Sequence, residues 1–343
     1  MSFKHNLSTG RTWSLLVTLL TALTLSFYSC KTEESTPPPP QTITEQINAS
    51  GKFTLLKAAL AKAGLDVTLG TTGTYTVFAP TDDAFKAFGL ASETALALAP
   101  VDLLKSVLQY HVLGTKLETS AMPTAVNTPQ QTLLATLPLY ITKTASVSGT
   151  STAAISVNGA HLILGQGSSD QQASNGVIHS IDRILLPPVY GDIPKTIAQI
   201  PTIYALLAPS AGISFKLLQQ AVAKAGIGGA LTAAGPLTVF APTDNAFKAS
   251  GFDSTAIAKA TAAQLTSVLS YHVLNNSRTY TPTLTNGSSL TTLQGGAITV
   301  ATSTTATTVT GKGNGTNAST VVGPDVTATN GVIQIIDRLL LPQ

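Results

Sequence analysis

The chain has 343 residues, of which only 10% are charged, and its formal net charge is +3. With no basic run and no interleaving of aromatic and basic residues, nucleic-acid binding has no electrostatic footprint here. A single cysteine, Cys30, excludes an intrachain disulfide framework and a thiolate zinc cluster.

Residues 1–29 read as a signal peptide. Lys4 and Arg11 form a basic n-region, and Trp13 to Ser29 is an apolar stretch of 17 residues, short of the roughly 20 that a spanning helix needs. Without those two basic residues the chain carries 17 basic against 16 acidic side chains. Ser29 before the lone Cys30 resembles the bacterial lipobox, in which the cysteine is lipidated and becomes the mature N-terminus. Phe27 and Tyr28 depart from its usual aliphatic and small residues, and an uncleaved anchor or plain secretion are the alternatives. Lys31 to Ser35 (KTEES) resembles the surface-export signal of some Gram-negative lipoproteins, and reads equally as a solvated tether. Pro37 to Pro40 stiffen the tether, residues 30–41, toward polyproline II. The expected address is a secreted, lipid-anchored protein of the outer membrane, with exposure at the cell surface if the export signal operates.

Beyond the tether the chain repeats. TVFAPTDDAF (Thr76 to Phe85) and TVFAPTDNAF (Thr238 to Phe247) agree at nine of ten positions, 162 residues apart. That period is too long for a solenoid, so each copy is expected to be a domain with its own core. The first runs over residues 42–188 and the second over 192–343. Only Val189 to Gly191 lie between, which predicts close coupling.

Each copy opens with a helical pattern, Phe53 to Leu65 and Phe215 to Ile227, with Gly64 and Gly226 placed as C-caps. Thr76 to Ala79 reads as a strand buried on both faces. Pro80 breaks the chain, Thr81 is placed as N-cap, and Asp82 and Asp83 fall at the positive end of a helix dipole. Phe85 and Phe88 face the core, and Gly89 ends the helix. The second copy keeps Thr243, Asp244, Phe247 and Gly251 but has Asn245 for Asp83 and Ser250 for Phe88. Leu103 to Leu113 reads as a helix with His111 on its apolar face, matched by Gln264 to Leu274. Asn158-Gly159 predicts a hairpin within Ile155 to Leu164; the second copy has Ile298 to Val309 and then a GKGNGT loop, Gly311 to Thr316. Asn175-Gly176 and Asn330-Gly331 predict turns, each leading into an apolar strand that carries Asp182-Arg183 or Asp337-Arg338 and stops at Pro187 or Pro342.

Three signatures in this order resemble the fasciclin (FAS1) domain family: the TVFAPTDDAF/TVFAPTDNAF strings, the pairs Tyr110-His111 and Tyr271-His272, and NGVIHSIDRILLP/NGVIQIIDRLLLP. The match spans nearly all of residues 42–343, twice. The resemblance implies an α+β fold: two tandem domains, each a β-sandwich or wedge with several helices packed at one side. It also implies extracellular placement, adhesion or matrix binding, and protein or carbohydrate ligands. In animal relatives the Tyr-His region and a Pro-Asp-hydrophobic motif are linked to receptor binding. Pro324-Asp325-Val326 resembles the latter faintly, and the first copy has no such string.

Residue by residue, catalysis finds little support. There is no G-x-S-x-G string and no zinc-binding spacing of histidines. His111 reads first as a core histidine with satisfied nitrogens, and second as a recognition residue. Asp82 and Asp244 read as helix-capping acids rather than a glycosidase pair, since the neighbouring acid is lost in the second copy. Asp182 and Arg183 face opposite ways in a strand and are poor partners for each other, so one should point to a partner elsewhere. The GKGNGT loop lacks the phosphate-loop pattern and reads as a flexible hairpin loop. No cofactor is expected. The leading expectation is a surface-anchored, non-enzymatic adhesion or binding protein whose partner is an extracellular protein or carbohydrate. The alternatives are an enzymatic or accessory factor in polysaccharide processing and a structural component of biofilm.

Overall fold

Thr42 caps the first helix, α1 (Ile43–Ala49), through a capping box with Glu45. In this computed structural model residues 1–2, 40–145, 154–207, 212–303 and 305–343 are described. Cys30 and nearly all of the leader and tether lie outside the described residues.

Helix α2 (Thr54–Ala63) ends at Gly64, whose φ of 67° places it in the left-handed region open to glycine. After α3 (Asp66–Gly70) comes β1 (Tyr75–Pro80). Its alternation decides the layering: Val77 packs among the helices, whereas Phe78 points to a second apolar cluster with Tyr110, Ile141 and Ile181. Thr81 then caps α4 (Asp82–Phe88), accepting from Ala84 N, and Gly89 ends it with φ 103°. Helices α5 (Glu93–Leu98) and α6 (Val101–Tyr110) complete the helical layer.

Helix α6 stops at Tyr110, one residue before the predicted histidine position. His111 is its C-cap, and Val112–Leu113 form β2, which pairs with β1. The His111 carbonyl accepts from Phe78 N at 2.9 Å, so the sheet takes over the backbone at this point.

Two sheets follow in the first repeat. One has the order β2–β1–β8–β7, with β7 at Gln171–Ala173 and β8 at Gly176–Ile181; β1 and β8 run parallel. The other is β3 (Thr128–Gln130), β4 (Leu139–Lys143), β5 (Ile155–Val157) and β6 (Ala160–His161). The Asn158-Gly159 turn joins β5 to β6, with both residues at positive φ as a tight hairpin requires. The predicted sandwich with helices on one side is therefore present.

The second repeat has the same layering, with Val239 toward the helices and Phe240 toward the other layer. Helix α7 (Ile193–Leu207) is followed by α8 (Lys216–Ala225), α9 (Gly228–Leu231), β9 (Leu237–Pro242), α10 (Asp244–Ala249), α11 (Ser254–Lys259) and α12 (Ala262–Ser270). Strands β10 (Val273–Leu274), β11 (Ser289–Thr291), β12 (Ala297–Thr302), β13 (Thr307–Gly311), β14 (Ser319–Ala328) and β15 (Gly331–Ile336) make one seven-stranded sheet, ordered β10–β9–β15–β14–β13–β12–β11. The difference from the first repeat lies in β14. Its first residues pair with β13 and its later ones with β15, with register shifts around Gly323. Such bulges bend a strand enough to serve both layers.

Two boundaries differ from the sequence expectation. Strands β8 and β15 end at Ile181 and Ile336, well before Pro187 and Pro342. Asp182-Arg183 and Asp337-Arg338 therefore lie in bends, where adjacent side chains need not face opposite ways. The GKGNGT loop is not a free hairpin tip either. Asn314 is buried, donates to Leu339 O at 2.8 Å and accepts from Leu341 N at 2.8 Å.

Residues Gln41–Gln343 form one compact unit. Helix α7 is one reason. Ile193, Ile197 and Ile200 pack into the second core, whereas Ile203 packs into the first. Tyr204 also meets Phe88 of the first repeat at a ring separation of 5.8 Å. Pro201, which cannot donate to a carbonyl four residues back, lies where the helix passes from one core to the other.

Candidate functional site

Side chains that the sequence marks as candidates divide into those that hold one domain together and those at the junction of the two.

Asp82 and Asp244 belong to the first group, though not as caps of their own helices. Asp82 accepts from Leu55 N at 2.8 Å and from Thr54 Oγ1 at 2.7 Å, at the amino end of α2. Asp244 does the same to Leu217 N and Ser214 Oγ, at 2.8 and 2.6 Å. Each carboxylate thus satisfies the orphan donor of a neighbouring helix. Thr81 and Thr243 cap α4 and α10 as expected, and Phe85 and Phe247 are buried behind them. Asp83 is 91% exposed and pairs only with Lys86, which explains why asparagine replaces it in the second copy.

The asparagines of the two Asn-Gly turns are buried struts. Asn175 accepts from Ile43 N and donates to Leu69 O and Thr71 O; Asn330 accepts from Ile193 N and donates to Leu231 O and Ala233 O. Gly176 and Gly331 follow them because a Cβ there would lie 2.0 Å from Tyr75 O and 2.1 Å from Leu237 O.

His111 and His272 are core residues with both ring nitrogens occupied. In His111, Nδ1 meets Val107 O at 2.7 Å and Nε2 accepts from Leu185 N at 2.9 Å. His272 repeats this with Val268 O and Leu340 N. Burial pushes each imidazole from its usual 6.5 down to about 4, against the opposing effect of the backbone bond. With no free lone pair, neither ring can serve as a base or a ligand without losing a structural bond. Among the described residues, no cluster of three or more His, Cys, Asp or Glu is placed to hold a metal.

The junction is built from other residues. Arg183 Nη1 donates to Asp325 Oδ2 at 2.7 Å; the aspartate side chain is 3% exposed and the arginine 34%. This is the partner that the Asp-Arg pair required. Its neighbour Asp182 turns back to accept from His161 N, as Asp337 does from Thr320 N. Asp325 also accepts from Thr281 N and Oγ1 and from Gln334 Nε2. Burial raises its pKa, opposed by Arg183 and these donors. Gly159 makes the approach possible, since a Cβ there would lie 2.2 Å from Asp325 Oδ2.

Tyr110 reaches the same junction. It donates to Pro138 O and accepts from Asn158 Nδ2 at 2.8 Å, while Asn158 Oδ1 accepts from Tyr280 of the second repeat at 3.3 Å. Tyr271 has no such role; its hydroxyl donates to Ala297 O within its own domain. Arg278 lies over the Tyr140 ring at 4.3 Å, and its carbonyl accepts from Asn127 Nδ2.

Arg183 separates two hollows. One, of about 590 Å³, is lined by Lys86, Phe88, Ile184, Tyr204, Val322 and Pro324 among others. The other, of about 390 Å³, is lined by His161, Asp182, Thr281, Thr302 and Pro324 among others. The first offers apolar surface beside charged groups of both signs, Lys86 and Arg183 with Asp182 and Asp325, and the second mainly polar groups. This interdomain groove is the candidate binding surface.

The first copy has no Pro-Asp-hydrophobic string, and Ser169-Asp170-Gln171 stands in its place. The structure nevertheless puts Asp170 at the position equivalent to Asp325. Its φ is 50° against 66° for Asp325. Thr119 N and Oγ1 donate to it as Thr281 does to Asp325, and its own N–H is received by His179 as that of Asp325 is by Gln334. Counting back from Asn175-Gly176 and Asn330-Gly331 would have aligned the two aspartates.

These features define a tandem of α+β domains, clasped through a buried ion pair and presenting a shared groove. The fasciclin domain model matches residues 51–187 and 214–342, and the chain belongs to the fasciclin domain family. The chain is similar to the transforming growth factor-beta-induced protein ig-h3 of Sus scrofa, 26% identical over 271 residues, covering 79% of this chain and 35% of that protein. It thus spans about a third of that relative's length. It is also similar to protein sll1483 of Synechocystis, 34% identical over 155 residues, covering 43% of this chain and 74% of that protein. A solved FAS1 domain pair from the insect cell adhesion molecule Fasciclin I aligns at 19% identity over 87% of this chain and 95% of its own, with a TM-score of 0.39.

Proposed function

We propose that this protein is a non-enzymatic adhesion or binding protein that recognises an extracellular protein or polysaccharide through its paired fasciclin domains, residues 42–188 and 192–343. In this reading a lipid on Cys30 anchors it to the outer membrane, and the tether carries the domains away from the bilayer. The observation that carries the reading is the clasp of Arg183 on Asp325, which makes a single groove out of two domains. A second support is chemical. His111 and His272 are occupied by backbone groups, and Asp82 and Asp244 hold helix ends, so the residues most suggestive of catalysis have structural duties. Fasciclin relatives include a protein named for cell adhesion, which fits the same class.

The test is binding of residues 31–343 to an immobilised panel of extracellular proteins and polysaccharides, with Val322→Arg and Lys86→Glu as groove variants. The expected result is a ligand whose binding both variants weaken. A panel with no binder, or a binder indifferent to both, would count against the reading. Anchoring is tested separately by labelled fatty acid: incorporation into the chain and its loss in Cys30→Ala.

A further inference from the structure

We propose that Asp170 is a second arginine seat, and that it receives Arg338 of another copy of this chain, so that copies associate head to tail. The inference does not depend on which ligand the groove takes.

The seat is built twice and filled once. In the second repeat Asp325 is held by Thr281, backs onto Gln334, and accepts Arg183 from the first repeat. In the first repeat Asp170 is held by Thr119 at 2.8 Å and backs onto His179, which donates in turn to Leu117 O as Gln334 does to Thr279 O. The outcome differs. Asp325 is 3% exposed beneath its arginine, whereas Asp170 is 35% exposed.

The guanidinium that matches Arg183 in the second repeat is Arg338, in the same Asp-Arg-x-Leu-Leu-Pro setting. Among the described residues no carboxylate pairs with it, and its Nε is buried without a hydrogen-bond partner. Within one chain the arginine face of the first domain docks on the aspartate face of the second. That leaves an aspartate face on the first domain and an arginine face on the second, each without its counterpart. An interface between unlike faces links copies head to tail, into a ring where the rotation between them closes and into an open array where it does not.

The two seats are not identical in their surroundings. Glu118 stands where Tyr280 does in the occupied seat, and Lys116, paired with Glu118 at 3.1 Å, stands where Arg278 does. The contact between chains therefore rests on charge more than on aromatic packing. It should be weaker than the contact within the chain and sensitive to salt.

Sedimentation velocity on residues 41–343, which contain both hydrophobic cores, tests this up to about 1 mM, the range of a weak contact. The sedimentation coefficient should rise with concentration at low ionic strength and return toward the monomer value in about 0.5 M salt. Asp170→Asn and Arg338→Gln should each weaken association about tenfold or more, with thermal unfolding as the check on folding. Mixed together, the two variants each keep one intact face, so the mixture should form dimers but nothing larger. A monomer at every concentration, or association that either variant leaves unchanged, would overturn the proposal.

Discussion

Arg183 and Asp325 stand 142 residues apart in sequence and meet at 2.7 Å, with the carboxylate buried and the guanidinium reaching it from the other domain. Removing one partner of such a pair strands the other. Arg183→Ala should cost about 3 kcal/mol, or somewhat less because the arginine is a third exposed. It should also raise the Asp325 pKa further. Calorimetry should give one unfolding transition for the native chain and two for this variant. Arg183→Gln with Asp325→Asn should lose less than the sum of the single changes, which a double-mutant cycle would measure.

Asn175 and Asn330 are expected to be the most sensitive polar positions within each domain. Each alanine substitution leaves one backbone N–H and two carbonyls without their partner. The expected loss is about 2–4 kcal/mol per domain, read from urea unfolding. Asn→Asp should recover little, because it cannot donate to the two carbonyls.

Neighbouring acids at one helix start should behave differently. Asp82→Ala breaks charge-assisted bonds to Leu55 N and Thr54 Oγ1 and should cost about 1.5–3 kcal/mol. Asp83→Ala removes an exposed contact with Lys86 and should stay within about 0.5 kcal/mol. Equal effects in chemical denaturation would mean that dipole placement, not the link to α2, is what the acids provide.

Stability should fall with acidification between pH 6.5 and 4. Above that window His111 and His272 are neutral in both folded and unfolded chains. Within it the unfolded chain takes up protons that the folded rings, depressed to about 4, refuse. Stability present above pH 6.5 is therefore lost on the way down, up to roughly 3 kcal/mol for each histidine by pH 4. Asp325 acts in the opposite sense, since its raised pKa lets the folded state bind a proton before the unfolded one. His111→Gln should flatten the pH dependence of the unfolding midpoint, because glutamine at position 334 already reproduces the two bonds made by His179.

Local grammar was readable from the sequence; distant partners were not. Thr81, Gly64, Gly89 and the Asn158-Gly159 turn act where their neighbours in sequence place them. The burial of His111 followed from helical spacing, though the helix ends one residue earlier because β1 claims the next backbone groups. The reach of Asp82 to α2, the bonds of Asn175 and the partner of Arg183 depend on chain segments 27 to 142 residues away. The match of Asp170 with Asp325 was hidden by a change of register. Thr81 and Thr243 are 162 apart, but Asn175 and Asn330 only 155, because the middle of the second repeat is shorter.

The central claim is that the two domains act as one body around the groove, and a distance distribution addresses it directly. Cys30 lies outside residues 41–343, so Thr94→Cys and Thr255→Cys would supply the only thiols for spin labels, one on each domain. Pulsed electron spin resonance should give one narrow distance in the native background and a broader one in Arg183→Ala. A broad or multiple distribution in the native background would contradict the account.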